Sequence, residues 1–205
     1  MPVKLLTKAV GPWPMNTYAV VCEETKTSAI IDPGADAEDI LAMVEGTQVD
    51  KILITHGHWD HVGGLEAIKN GTGAPVYLHP ADGEKFEVAY DIPLEGLEVI
   101  EIGNQRLHPI HTPGHTPGQT CFDLGDDRII VGDTIFVNGP GATGSPEDFD
   151  ASMAMIQKVI LKWPDETTFY PGHGPSGKIG DERPAIQAFI DQGWPPDLHG
   201  DVTWK

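Results

Sequence analysis

The run His56-Gly57-His58-Trp59-Asp60-His61 places three of the chain's nine histidines and one carboxylate within six residues. Imidazole nitrogen and carboxylate oxygen are the donors that suit zinc and its borderline neighbours. The preceding Lys51-Ile52-Leu53-Ile54 is apolar enough to be a strand buried on both faces, as in layered α/β folds. The histidines therefore fall on the loop at that strand's C-terminal end. Gly57 permits a tight backbone there, which lets alternate side chains converge on a point.

Three more metal-type residues occupy the same kind of position. His115 follows a strand ending at Ile110, Asp133 follows Arg128 to Val131, and His173 follows Thr167 to Tyr170. Each sits on a loop punctuated by Gly or Pro. Ligand sites gather at the C-terminal ends of strands in α/β sheets, so the four loops are expected to meet.

The rest of the chain reads as strands with helices between and after them. Tyr18 to Cys22 and Ser28 to Ile31 form a strand pair around a turn at Glu23 to Thr27, and Asp32-Pro33-Gly34 ends the second strand. Ala37 to Glu45, Val62 to Asn70, Phe149 to Leu161 and Arg183 to Ile190 read as helices. Further strands are expected at Pro75 to Leu78, Leu97 to Ile102, Arg106 to Ile110 and Thr120 to Leu124. This pattern suggests an α/β (α+β layered) fold with a sheet core covered by helices. No repeat or linker divides the chain, so 1–205 reads as one domain with 191–205 as a C-terminal tail. That tail, with Trp194 and Trp204, is expected either to dock on the body or to bury a homodimer contact.

Composition narrows the partners. With 13 basic and 31 acidic residues the net charge is −18, a field that repels phosphate backbones and excludes nucleic acid as a natural partner. Screening beyond ~8 Å leaves a small anionic substrate admissible. No apolar run approaches the ~20 residues of a membrane span, and MPVKLLTKAV lacks the shape of a signal peptide, so a cytoplasmic protein with a small-molecule substrate is expected. Cys22 and Cys121 sit apart in apolar runs and read as buried free thiols.

Thr55-His56-Gly57-His58-Trp59-Asp60-His61 with Val62-Gly63-Gly64 resembles the T-H-x-H-x-D-H motif of the metallo-β-lactamase superfamily. His115, Asp133 and His173 match its remaining ligand positions in order, and Asp32-Pro33-Gly34 resembles its early turn. The resemblance implies an αββα sandwich, two mixed β-sheets flanked by helices, with the metals at one edge. It also implies two divalent ions, zinc first, with iron or manganese as alternatives. His56, His58 and His115 would bind one, Asp60, His61 and His173 the other, and Asp133 would bridge them. A hydroxide shared between the ions would attack a thioester or ester carbonyl, with Asp60 as the catalytic residue that orients it and carries a proton to the leaving group.

Within the family, His58 stands where the flavodiiron branch has Glu, and no cysteine lies among the ligands. The all-His/Asp set is most similar to the glyoxalase II and lactonase branches, and Trp59 is also seen in glyoxalase II. Two features differ from glyoxalase II: the stretch after His173 is too short for its glutathione-binding helices, and Ala142 stands near the position of a basic residue. A lactonase or β-lactam hydrolase is the nearest rival reading, and an iron-dependent persulfide dioxygenase is a rival of another class. Trp13 and Met15 are expected to wall the substrate pocket, and Lys178 and Arg183 to offer charge to an anionic group. His79 reads as packing at a strand end and His111 as supporting the His115 loop. His108 and His199 read as surface residues.

Overall fold

In the computed structural model, which describes residues 3–96 and 98–204, the strands alternate their side chains between two interiors. The first half forms β1 (Lys4–Val10), β2 (Met15–Cys22), β3 (Thr27–Ile31), helix α1 (Ala37–Met43), β4 (Gln48–Leu53), α2 (Trp59–Val62), α3 (Leu65–Thr72), β5 (Val76–Leu78), α4 (Pro80–Lys85) and β6 (Ile92–Pro93). Its six strands lie side by side in that order, antiparallel from β1 to β3 and parallel from β3 to β6. The second half forms β7 (Ile100–Ile102), β8 (Gln105–His111), β9 (Thr120–Asp123), β10 (Arg128–Gly132), the short pair β11 (Ile135–Phe136) and β12 (Gly139–Pro140), α5 (Pro146–Lys158), β13 (Thr168–Pro171), β14 (Gly177–Lys178) and α6 (Ile179–Gln192). Its main sheet has the order β14-β13-β10-β9-β8-β7, with β10 and β13 parallel and the other neighbours antiparallel.

Period-2 patterning explains the layers. In β3, Ala29 and Ile31 face the second sheet while Ile30 faces α1 and α3. In β10, Ile130 faces the first sheet while Ile129 and Val131 face α5 and α6. Three apolar interfaces result: helices on sheet, sheet on sheet, and sheet on helices. Each fully buried Ile, Leu or Phe in them, such as Leu53 or Phe122, stabilises by roughly 1.5–3 kcal/mol. The architecture is the expected αββα sandwich. Both cysteines are buried and free. No helix among the described residues is long and apolar enough to cross a membrane.

Several element boundaries differ from the sequence expectation. The helix expected over Val62 to Asn70 is two helices, α2 and α3, broken at Gly63-Gly64 where Gly64 N–H donates to the Pro33 carbonyl at 2.8 Å. The helix expected from Phe149 starts at Pro146, capped by Ser145, whose Oγ accepts from Asp148 N–H at 3.1 Å. The last helix begins at Ile179, upstream of the expected Arg183, because buried Ile179 and Glu182 anchor its first turns despite Pro184 inside it. Strand β1 and helix α4 were not foreseen: β1 alternates with an exposed face, and α4 is one short turn-rich segment. Of the strand expected over Leu97 to Ile102, only Ile100–Ile102 forms, and Leu97 lies outside the described residues. The tail packs on the body, where Trp194, Leu198, Val202 and Trp204 join the interior beneath α5 and α6.

Candidate metal centre

The loops after β4, β8, β10 and β13 converge at one edge of the sandwich, as expected from the strand ends. Backbone bonds lace them together: Thr120 N–H donates to the Thr55 carbonyl at 2.8 Å and Gly172 N–H to the Gly132 carbonyl at 2.9 Å. The start of β2 ties in the His173 loop, with Asn16 N–H on the Gly172 carbonyl at 2.7 Å and Asn16 Nδ2 on the carbonyls of Pro171 and Gly174.

All seven expected ligand residues come together. Among the described residues, three groups place their ligand atoms within 4.8 Å of one another: His56, His58 and His115; His56, His61 and Asp133; and Asp60, His61 and His173. His58 Nδ1 lies 3.1 Å from His56 Nε2 and 3.0 Å from His115 Nε2. Two nitrogens on one tetrahedral zinc stand ~3.3 Å apart, so the first group matches a zinc cradle closely. Asp133 lies between the groups, with Oδ1 3.5 Å from His61 Nε2 and Oδ2 3.6 Å from His115 Nε2 and 3.9 Å from His173 Nε2. Asp60 Oδ2 is 3.0 Å from His173 Nε2.

The donor set fits divalent ions on a further ground. His61 Nε2 and Asp133 Oδ1 are buried without a hydrogen-bond partner. Unpaired buried polar atoms are costly, and a metal ion satisfies both at once. The outer nitrogens of three ligand histidines are engaged: His61 Nδ1 with Asp32 Oδ2 at 2.9 Å, His115 Nδ1 with the Ala142 carbonyl at 2.6 Å, and His173 Nδ1 with the Pro14 carbonyl at 3.1 Å. Each such contact turns the Nε2 lone pair inward.

Charge follows the same plan. Burial and the neighbouring imidazoles push His58 down to about 4 and His56 well below the ordinary value, so both are in the neutral form that binds metal. Burial opposes the charge of His61, but Asp133 and Asp32 outweigh it and raise that imidazole to about 9. Burial likewise opposes the Asp60 carboxylate, yet the hydrogen bond from His173 brings it down to about 2. The carboxylates of Asp133 and Asp32 thus favour positive charge at His61, and a divalent cation held there would supply that charge in place of a proton.

The pocket residues divide. Trp13 is 66% exposed and Trp59 58% exposed, and their rings meet edge to face at 5.3 Å beside the ligands. Met15 is 1% exposed and packs in the first core, so it is not a pocket wall. Lys178 pairs with Thr168 at the start of β13, roughly 10 Å of strand from the end that leads to His173, and so lies away from the site. Arg183 is held by Asp165 and the carbonyls of Leu161 and Trp163, which removes it as an anion contact. His111 Nε2 donates to the Pro117 carbonyl at 2.8 Å, supporting the His115 loop as expected, and His79 stacks on it at 4.2 Å while capping α4. His108 and His199 are exposed.

Asp32 was read only as part of a turn, yet its carboxylate takes Thr55 N–H at 2.7 Å and Thr55 Oγ1–H at 2.6 Å as well as His61. The sequence signal was present in Asp32 at a strand end ahead of the histidine loop; the pairing itself is long-range.

Comparison with known proteins agrees with this geometry. Residues 10–173 match the metallo-beta-lactamase superfamily. A hydroxyacylglutathione hydrolase from Polaromonas sp. is 34% identical over 76% of this chain and 60% of its own length, so the chain spans less than two thirds of that protein. The probable metallo-hydrolase YqgX of Bacillus subtilis is 30% identical over 88% of this chain and 96% of its own. Among solved structures, the B3 metallo-beta-lactamase BLEG-1 is 28% identical and superposes with a TM-score of 0.78, covering 88% of this chain and 97% of that one. With the ligand loops gathered at one sandwich edge and the match running from β1 to His173, the chain belongs to the metallo-β-lactamase superfamily.

Proposed function

We propose that this chain is a hydrolase that holds two divalent metal ions, zinc first among them, and cleaves a thioester or related carbonyl ester of a small molecule. The position of Asp133 carries the reading: one carboxylate reaches toward His61 with one oxygen and toward His115 and His173 with the other. That is the placement of a bridging ligand between two ion sites. When bound, two such ions supply Lewis acidity toward a carbonyl oxygen and a water that ionises near neutral pH, with a pKa of about 7.

The chain's own residues do the remainder. Asp32, the Ala142 carbonyl and the Pro14 carbonyl lock the tautomers of His61, His115 and His173, so the ligand geometry is set before substrate arrives. Asp60 is half-buried with Oδ2 toward His173 and stays a carboxylate, placed to orient the attacking water as an acceptor and to relay its proton transiently to the leaving thiol or alcohol. Trp13 and Trp59 offer an apolar edge to an acyl group at the mouth.

Two observations bear on the substrate. The Polaromonas relative is named a hydroxyacylglutathione hydrolase, which supports thioester chemistry. Ala142 is exposed beside His115, where a basic side chain would meet a glutathione-type anion, and it brings no charge. A compact, uncharged, apolar acyl compound suits this mouth better.

The test is metal analysis of the purified protein together with a hydrolysis panel of S-D-lactoylglutathione, simple thioesters, lactones and a β-lactam. Two equivalents of zinc and turnover of simple thioesters ahead of the others is the expected result. One iron, with oxygen uptake on glutathione persulfide, overturns it.

A further inference from the structure

Asp82 belongs to none of the metal-type groups, yet it touches both loops that build one of them. It sits in the first turn of α4 and is 0% exposed. Its Oδ2 accepts from Gly57 N–H at 2.8 Å and from Thr116 Oγ1–H at 2.8 Å, and its Oδ1 accepts from Gly118 N–H at 2.6 Å. Gly57 lies between His56 and His58, and Thr116 directly follows His115. Among the described residues no lysine or arginine pairs with Asp82, so these neutral donors alone satisfy a buried carboxylate.

That arrangement has a mechanical consequence. Charge-assisted hydrogen bonds are the strong ones, and inside a protein they hold position firmly. Here they clamp two segments that are far apart in sequence but must hold His56 Nε2 and His115 Nε2 3.1 and 3.0 Å from His58 Nδ1. The close approach is built in, since a Cβ at Gly118 would stand 2.8 Å from Asp82 Cγ. The Asp60–His61–His173 group is fastened by other contacts, from Asp32 and the Pro14 carbonyl.

We infer that Asp82 is a positioning residue that sets the spacing of His56 and His58 from His115 and thereby governs the affinity of that ion site selectively. The inference rests on the two-ion reading above. Asp82→Asn keeps the shape but turns an amide N–H toward a backbone or hydroxyl donor, and Thr116→Val removes a single donor.

The experiment measures zinc affinity by competition with a chromophoric chelator, in a His173→Ala background that leaves the His56–His58–His115 group whole and in a His115→Ala background that breaks it. Asp82→Asn is expected to weaken binding by about 10–100-fold in the first background and by less than about 2-fold in the second. Thr116→Val is expected to shift the first background alone, by a smaller factor. In cobalt-substituted protein with otherwise native ligands, Asp82→Asn is expected to alter the visible bands of one ion. Equal weakening in both backgrounds, or none in either, overturns the inference. Should Asp82→Asn fail to fold, Thr116→Val decides alone, and lack of a one-sided loss overturns it. Wild-type protein that takes up fewer than two zinc ions defeats the two-ion reading and the inference together, whereas two tight ions with an unaffected Asp82→Asn variant defeat only the inference.

Discussion

Asp32 Oδ2 and His61 Nδ1 meet at 2.9 Å with neither residue more than 1% exposed, and Asp32 holds a left-handed backbone, φ 53°, to make that contact. A non-glycine residue in that region is strained, and three accepted hydrogen bonds hold it there. Asp32→Ala removes the acceptor that fixes the His61 tautomer. Zinc affinity is expected to fall by about 10–100-fold in chelator competition. A variant that binds both ions as tightly as wild type would refute the orienting role.

Asp133→Ala removes the carboxylate that, among the described residues, reaches toward His61 with one oxygen and toward His115 and His173 with the other. Metal content is expected to drop below two equivalents and turnover to fall with it. The check is elemental analysis alongside the hydrolysis assay, and unchanged metal content would dismiss the bridge.

Gly172 has no room for a side chain. A Cβ there would lie 2.2 Å from Asp133 Oδ1 and 2.5 Å from His61 Cε1. Both atoms belong to the metal cluster, so Gly172→Ala is expected to displace ligands and cost on the order of 1–3 kcal/mol as overpacking does. Thermal unfolding with and without zinc reads both effects, and the stabilisation by zinc is expected to shrink.

Trp13 is a surface residue whose loss leaves the core untouched. Trp13→Ala is expected to change stability by less than about 0.5 kcal/mol. In kinetics it is expected to raise KM several-fold for apolar acyl substrates while sparing small ones. Equal KM values across acyl groups would remove Trp13 from the substrate site.

His79 titrates in a way that can be followed. Burial and then the stacked His111 lower it from the ordinary 6.5, against the opposing pull of Glu95 and Asp82. Its Nδ1 accepts from Ala81 N–H at 3.2 Å, which only the unprotonated nitrogen can do. The folded state therefore binds this proton less readily than the unfolded chain. The stability it contributes is present above pH 6.5 and is lost as pH falls through the lowered value. His79→Asn, which keeps a capping side chain, is expected to flatten the stability profile below pH 6.5 in the zinc-loaded protein. An unchanged slope would exclude the contribution.

What the sequence made legible and what it hid divide along the range of the interactions. The strands at Ser28 to Ile31 and Arg128 to Val131 were readable because a short apolar run bounded by turn residues is a local signal. The split of α2 from α3 was not, since it depends on Gly64 meeting the Pro33 carbonyl. Lys178 looked close to His173 by number, yet the β13–β14 pairing carries it back along the sheet. Met15 looked available as a pocket wall and is instead in the core, because the start of β2 is pinned against the His173 loop.

By itself the sequence offered the candidate donors: seven His and Asp side chains on loops after four strands, in an order that resembles the superfamily's. Residue type and local pattern suffice to place them on strand-end loops, because they do not depend on which strands become neighbours. The tertiary structure alone decided that Asp133 stands between two groups, that Asp32 aims His61, and that Asp82 joins the His56–His58 loop to the His115 loop. Those are contacts between segments distant in the chain, and only the pairing of strands within two sheets, packed face to face, brings them within hydrogen-bond reach.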